Sequence, residues 1–225
     1  MARHEFALVR AVTGVQVRFA TDHTGEQYVT GKCWQKATLS SCPWHPEGGC
    51  GFARHGTYSR VRPPGCHIAR WYCPKARRTV SALPDCLAAQ RSGTLAELEA
   101  ELLALERAKS VATAAESVRT DIELPGALRY LTRLRRDIYR ALAAVRGLFP
   151  ARFAGVSLTL DAFLTLMPAP CVLQRLRVEC RAHVHDLPAP LGFNPRHSGR
   201  DTRPRPVQHQ AGADPPCAFL DALGS

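Results

Sequence analysis

Short β-type segments occupy the first part of the chain, and helical periodicity begins near residue 94. Two of the β-type segments flank Pro63-Pro64-Gly65, a turn signal that predicts a hairpin, and the segment that follows is expected to add a third strand. A sheet this small has little core of its own. The β-type segments are 6–12, 15–19, 57–62, 67–72 and 78–83.

The second part of the chain has the spacing of amphipathic helices. Thr94 followed by Glu97 is a capping box, and the leucines after it recur at helical intervals. A second helix is predicted over 110–118, and a third from Pro125 to about residue 145, with proline suited to the first turn. The third helix has an apolar stripe of Leu128, Leu131, Leu134, Ile138, Leu142 and Val145. Two further amphipathic segments, 158–166 and 172–187, are expected to close the helical core.

Composition adds a partner class to this picture. The chain has 225 residues, with 30 Lys plus Arg against 19 Asp plus Glu, and its formal net charge is +11. Arginine carries nearly all of the positive charge, and its planar guanidinium pairs with phosphate through two hydrogen bonds. This bias favours a nucleic-acid partner, although a solvated basic surface remains an alternative.

The chain has no apolar run long enough for a signal peptide or a membrane span, which predicts a cytoplasmic protein without a membrane partner. Nine cysteines are then poorly explained by disulfides, because the cytoplasm keeps thiols reduced and the number is odd. Metal binding is the leading use for some of them.

Five cysteines and three histidines fall within residues 42–91. The loop from Cys42 to Cys50 places two soft ligands close together, and Gly48 and Gly49 let the chain fold back. Cys73 lies where a second ligand loop is expected, but no cysteine follows it at knuckle spacing. These residues predict a zinc site, with small buried thiols as the alternative.

Several runs resemble a family of largely uncharacterised bacterial proteins that accompany insertion sequences and are often labelled transposases. The runs are CPWHPEGGCGFARHGTYSRVRPPG, IARWYCP, ALPDCLAAQRSGTLAELEA and DIELPGALRY. The resemblance covers roughly residues 42–148. It implies a zinc-ribbon-like front half, a helix-turn-helix-like middle, and a transposase encoded nearby as a partner.

The resemblance also implies that a histidine follows the second-knuckle cysteine by four residues. Arg77 occupies that position here, and a guanidinium that stays protonated does not ligate zinc. Cys42, Cys50 and Cys73 are therefore the implied zinc ligands, and the fourth ligand stays open. His45 is the fourth residue assigned to the site, and the other substitutes are His55, Cys66 and His67. The gap suggests a damaged structural site, while three ligands and a water would suit a catalytic zinc.

The third predicted helix has arginines at spacings of four, three and four, which places them on one face beside the apolar stripe. Residues 124–152 contain seven arginines and one acidic residue, whereas 94–123 contain seven acidic and three basic residues. A helix-turn-helix inserts its later helix into the major groove of DNA, which fits this division. The alternative is that the arginines pair with the acidic helix. The expected DNA-binding residues are Arg129, Tyr130 and Arg133 at the bases and Arg136 and Arg140 at the phosphates.

No catalytic centre is expected. His45-Pro46-Glu47 imitates the H-x-E of zinc deaminases, but the P-C-x-x-C that completes that motif is not in the sequence. The sequence also has no phosphate-binding glycine loop and no nucleophile elbow.

The sequence thus predicts an α+β fold, with a small zinc-ribbon-like β region followed by a helical bundle of helix-turn-helix type. Its expected function is that of a sequence-specific accessory or regulatory protein of a bacterial mobile element, which binds double-stranded DNA. The alternative is a partial or decayed transposase that retains only its DNA-recognition part. The predicted parts are 1–41, of unassigned role; 42–92, zinc-ribbon-like; 93–192, helical; and 193–225, a disordered tail.

Overall fold

The computed structural model describes residues 14–193, which form an α+β fold as the sequence predicts. The expected strand at 6–12 and nearly all of the expected disordered tail lie outside the described residues. Phe193, the first residue assigned to that tail, is buried in the core beside the sheet, so its assignment to a disordered tail is wrong.

The sheet has four strands in the order β1-β4-β3-β2. The hairpin and the third strand are confirmed, since β2 and β3 pair antiparallel and β3 and β4 do the same. The first hairpin strand, predicted over 57–62, begins four residues and ends three residues earlier than expected. The segment at 15–19 adds a fourth strand, β1, which pairs in parallel with β4. The strands are β1, Gly14–Phe19; β2, Ala53–Ser59; β3, His67–Cys73; and β4, Arg78–Pro84.

The N-terminal region, whose role the sequence left unassigned, builds part of the sheet's core in its described portion. Helix α1, Gly25–Thr30, begins with a capping box formed by Thr24 and Gln27. Tyr28 on this helix is fully buried, and its hydroxyl donates to the carbonyl of His67 on β3 at 3.1 Å. Tyr28, together with Trp34 and Ala37 from the segment that follows α1, therefore contributes to the core beside the sheet.

Six further α-helices follow in the described part of the chain and pack around a second hydrophobic core. The predicted capping box is confirmed, because Glu97 N–H donates to the Thr94 hydroxyl at 3.0 Å and Thr94 N–H donates to the Glu97 carboxylate at 2.7 Å. The predicted stripe of the long helix α4 is also confirmed, with five of its six side chains buried and Leu128 partly buried. The helices are α2, Leu95–Arg107; α3, Val111–Val118; α4, Leu124–Leu148; α5, Pro150–Phe153; α6, Leu160–Leu166; and α7, Val172–Glu179.

The last helix is shorter than predicted. The sequence suggested 172–187, but α7 ends at Glu179 and a short 3₁₀ helix, Arg181–His183, follows. Beyond this point Val184 packs against the core beside the sheet, and Leu187 packs into the core among the helices. A continued helix would not distribute these two side chains between the two cores.

A buried arginine joins the sheet to the helices. Arg177 on α7 is fully buried, and its guanidinium donates to five backbone carbonyls in two loops. Burial lowers the pKa of Arg177 to about 10. The acceptors are the carbonyls of Pro84, Asp85, Leu87, Pro190 and Leu191.

Part of the positive charge therefore serves the architecture. Arg18 forms a bidentate salt bridge with the buried Asp85, with N–O distances of 2.7 and 2.6 Å.

In the described part of the chain, no helix is both long enough and apolar enough to cross a membrane.

Candidate metal centre and basic helix face

Four metal-ligating side chains meet at one end of the sheet. Cys42, His45 and Cys50 come from the loop before β2, and Cys73 is the last residue of β3. Their ligand atoms all lie within 4.8 Å of one another. The three cysteines are buried and His45 is half-buried, so the donors are compatible with a metal ion held at the edge of the protein interior.

Two distances within this cluster are compatible with a tetrahedral metal centre. Sγ of Cys42 lies 3.6 Å from Nδ1 of His45, and Sγ of Cys73 lies 3.4 Å from the same nitrogen. With Zn–S and Zn–N bonds of about 2.3 and 2.05 Å, the sulfur-to-nitrogen edge of a tetrahedron is roughly 3.6 Å. Nδ1 of His45 is therefore already at the separation that a shared zinc ion requires.

The backbone of the ligand loop explains how the donors converge. The N–H of His45 donates to the carbonyl of Cys42 at 3.2 Å, which closes a tight turn between the two ligands. Gly48 and Gly49 then adopt φ values of 85° and 70°, a left-handed conformation that favours glycine. This conformation reverses the direction of the chain, so that Cys50 lies beside the other three candidate ligands.

The surrounding backbone also favours thiolates. The N–H of Ala76 donates to Sγ of Cys73 at 3.3 Å. Burial opposes ionisation of Cys73, but backbone amides and the neighbouring thiols outweigh it and lower its pKa. Burial dominates at Cys42 and raises its pKa to about 11, although amides of Trp44 and His45 act in the opposite direction. A cation at the centre would favour the thiolate at each cysteine.

The other candidates for the fourth ligand lie elsewhere. His55 is exposed and stacks on Tyr72, with ring centres 5.6 Å apart. Cys66 and His67 belong to the other end of β3, where Cys66 is buried in the sheet core. Arg77 is exposed, in a left-handed turn with φ of 53°. The sequence held a signal for His45, because Cys42 and His45 are separated by two residues, the spacing of a metal-binding knuckle.

The predicted arginine row lies on the outer face of α4. Arg129, Arg133, Arg136 and Arg140 are all exposed, opposite the helix's buried stripe. Arg136 pairs with the adjacent Asp137 at 3.3 Å. Within residues 14–193, the other three have no ion-pair partner.

The acidic helix α2 does not neutralise this face. Glu99 is buried and accepts the first backbone amides of α7, at 3.1 and 2.8 Å. Glu106 accepts the amides of Leu160 and Asp161 at the start of α6. Because these carboxylates cap helices, the suggested pairing between the arginine row and α2 is wrong for the described residues.

Tyr130, which the sequence places among the DNA-binding residues, is partly buried. Its hydroxyl donates to Glu101 at 2.6 Å, and the guanidinium of Arg119 lies 4.2 Å from its ring centre. Burial, together with this hydrogen bond, raises the pKa of Tyr130 to about 12, so the hydroxyl remains a donor. Through this hydrogen bond Tyr130 connects α4 to α2. The exposed charge on this face comes from the arginines of the row.

Two arginines of the β region also have structural roles. Arg54 donates to the carbonyls of Trp34, Gln35 and Ala37, and Arg60 donates to carbonyls in the loop after β4. These hydrogen bonds connect the sheet to neighbouring loops.

Comparisons with models of known protein families, with curated proteins and with solved structures find no match to the chain. The resemblance to insertion-sequence-associated proteins therefore remains a prediction. The metal cluster and the helix face are interpreted from their own geometry.

Proposed function

We propose that the protein binds duplex DNA through the outer face of α4 and that a zinc ion at Cys42, His45, Cys50 and Cys73 stabilises its β region. The resemblance of its motifs further suggests an accessory or regulatory role in a bacterial mobile element. The zinc-ribbon and helix-turn-helix arrangements belong to this proposal.

The donor set supports zinc in a structural role. Three thiols and one imidazole are soft and borderline ligands, which zinc prefers in four-coordinate sites. Four protein ligands fill a tetrahedron, whereas a catalytic zinc keeps a position for water or substrate. The complete set also removes the reason for interpreting the site as damaged, because His45 supplies what Arg77 does not.

The single observation that carries DNA binding is the uncompensated charge of the α4 face. Arg129, Arg133 and Arg140 are exposed on one helix and have no carboxylate partner in the described part of the chain. The acids of α2 have other partners, since Glu99 and Glu106 cap helices and Glu101 binds Tyr130. Exposed arginines on a helix face attract phosphate and release counterions from DNA when they bind.

The test measures DNA affinity against salt concentration, using fluorescence anisotropy with a labelled duplex. Arg136→Ala combined with Arg140→Ala removes two exposed arginines from the helix. Each neutralised phosphate contributes about 0.9 to the slope of log affinity against log salt, so the slope should flatten by roughly two units.

A charge-matched control separates local contacts from net charge. Arg107→Ala combined with Arg175→Ala removes two exposed arginines of α2 and α7 that pair with carboxylates away from the α4 face. This control should retain nearly the full salt slope. Equal slopes for both double variants, with helical content unchanged by circular dichroism, would contradict DNA binding by α4.

A further inference from the structure

A basic cleft lies between the loop before α2 and the first turns of α4. Its volume is about 480 Å³, within the range of about 300 to 1,000 Å³ that is typical of small-ligand sites. Three of its lining residues are arginines, from two separate segments of the chain. The lining residues are Gln90, Arg91, Ser92, Gly126, Arg129, Tyr130 and Arg133.

One arginine of the cleft is held in place by the protein. Arg91 donates to Asp137 through Nε and Nη2, at 3.2 and 2.8 Å, and its guanidinium lies 5.8 Å from the ring centre of Tyr130. Only 12% of its side chain is exposed. Arg91 therefore forms a fixed wall of the cleft, and its charge is only partly balanced by Asp137, which also pairs with Arg136.

The other two arginines provide uncompensated charge. Arg129 and Arg133 are one helical turn apart, are exposed, and have no ion-pair partner in the described residues. A ligand that carries two negative charges would balance both. Guanidinium groups bind phosphate oxygens in pairs, which makes phosphate a better match than a single carboxylate.

The start of α4 adds to the positive potential. This helix has 25 residues and its N-terminal end carries a partial positive charge, which is offset in part by the acidic N-cap residue Glu123, although the first turn itself has no acidic side chain. Gly126 in that first turn lines the cleft, and a β-carbon at this position would have space, with its nearest atom, on Ile122, at 3.9 Å. The glycine thus leaves space that a larger side chain would fill.

We propose that this cleft binds a phosphomonoester dianion through Arg91, Arg129 and Arg133. The volume admits the sugar that bears the phosphate, and two sources have this chemistry: a 5′-phosphate at a DNA end and a soluble phosphorylated metabolite. In the DNA case the inference rests on the proposed function. It assigns a phosphate to Arg129 and Arg133, in place of the base contacts expected from the sequence.

The experiment has one arm for each source. Calorimetric titration with inorganic phosphate and with a nucleoside 5′-monophosphate tests the soluble source. Anisotropy with matched duplexes ending in 5′-phosphate or 5′-hydroxyl tests the DNA end. One charge-assisted hydrogen bond is sufficient for about a tenfold difference in affinity. If a DNA end is the source, the 5′-phosphate duplex should therefore bind at least about tenfold more tightly than the 5′-hydroxyl duplex.

Two kinds of variant locate the binding. Arg129→Ala with Arg133→Ala removes the uncompensated charge, and Gly126→Leu fills the cleft while keeping all three arginines. Each of these two variants should lose the preference for a duplex with a 5′-phosphate and should no longer bind soluble phosphate. Gly126→Ala, which leaves the space largely open, and Arg175→Ala on α7 are the matched controls and should bind as the unmodified protein does.

The outcomes separate this inference from DNA binding. If the protein binds duplex DNA without a preference for a 5′-phosphate and binds neither soluble phosphate, the cleft proposal is overturned and the proposed function stands. If phosphate binds but no duplex does, the cleft proposal stands and the proposed function fails. Unchanged phosphate binding by the folded Gly126→Leu variant would also overturn the cleft assignment.

Discussion

Removal of His45 from the candidate metal centre should weaken zinc binding and, with it, the stability of the β region. In the part of the chain that the structure describes, the partly buried Trp44, Phe52 and Ala76 are the hydrophobic side chains that pack against the three cysteines. The apolar contribution at this end of the sheet is therefore small, and a metal ion would connect the ligand loop directly to β3.

The expected magnitude follows from the loop that the metal would close. A bridge between Cys42 and Cys73 spans the ligand loop, β2 and β3, and the chain-entropy estimate for a cross-link of that length is about 3 to 4 kcal/mol. Removal of the metal would lower the free energy of unfolding by that amount, which for a chain of this size corresponds to a fall in Tm of roughly 10 °C. His45→Ala leaves three thiolates with water as the fourth ligand, so a chelator should strip zinc from this variant at a lower concentration.

Zinc per chain by elemental analysis and Tm by circular dichroism should be measured across a chelator titration. His55→Ala is the matched control, because it removes an exposed imidazole that belongs to β2 and not to the cluster. Zinc retention that is equal in the two histidine variants would refute the ligand assignment. Arg77→His should not increase zinc retention, since the four donors already complete a tetrahedron; a clear gain would show that the fourth position is vacant.

Two further predictions concern the connections that hold the helical layer. Arg177→Ala should lower the free energy of unfolding by at least about 4 kcal/mol, since it removes the donor from several buried carbonyls, and urea denaturation checks this against the exposed Arg175→Ala on the same helix. An unchanged urea midpoint would show that the buried guanidinium is dispensable. Glu99→Ala should cost about 3 kcal/mol by leaving two buried amides of α7 without their acceptor, whereas the exposed Glu116→Ala should change stability by less than about 0.5 kcal/mol. Equal effects of the two glutamate variants in thermal denaturation would contradict the capping role.

The sequence by itself determined the features that depend on local patterns. The hairpin between β2 and β3, the capping box at Thr94 and the buried stripe of α4 were all predicted, because turn chemistry and periodicity act over a few residues. The α+β class followed from the same signals. Cys42, Cys50 and Cys73 were identified as candidate ligands from ligand chemistry, loop spacing and the family resemblance, with His45 as one of several candidates for the fourth position.

Only the tertiary structure decided which distant groups meet. The parallel pairing of β1 with β4 joins segments far apart in the chain, and strand periodicity does not specify a partner. The choice of His45 over His55 depended on the direction in which each backbone segment turns. Net charge did not distinguish Arg177, which binds buried carbonyls, from Arg133, which faces solvent, because charge per residue carries no information about burial. Sequence thus determined the elements and the candidate chemistry, and long-range packing determined which arginines remain available to a ligand.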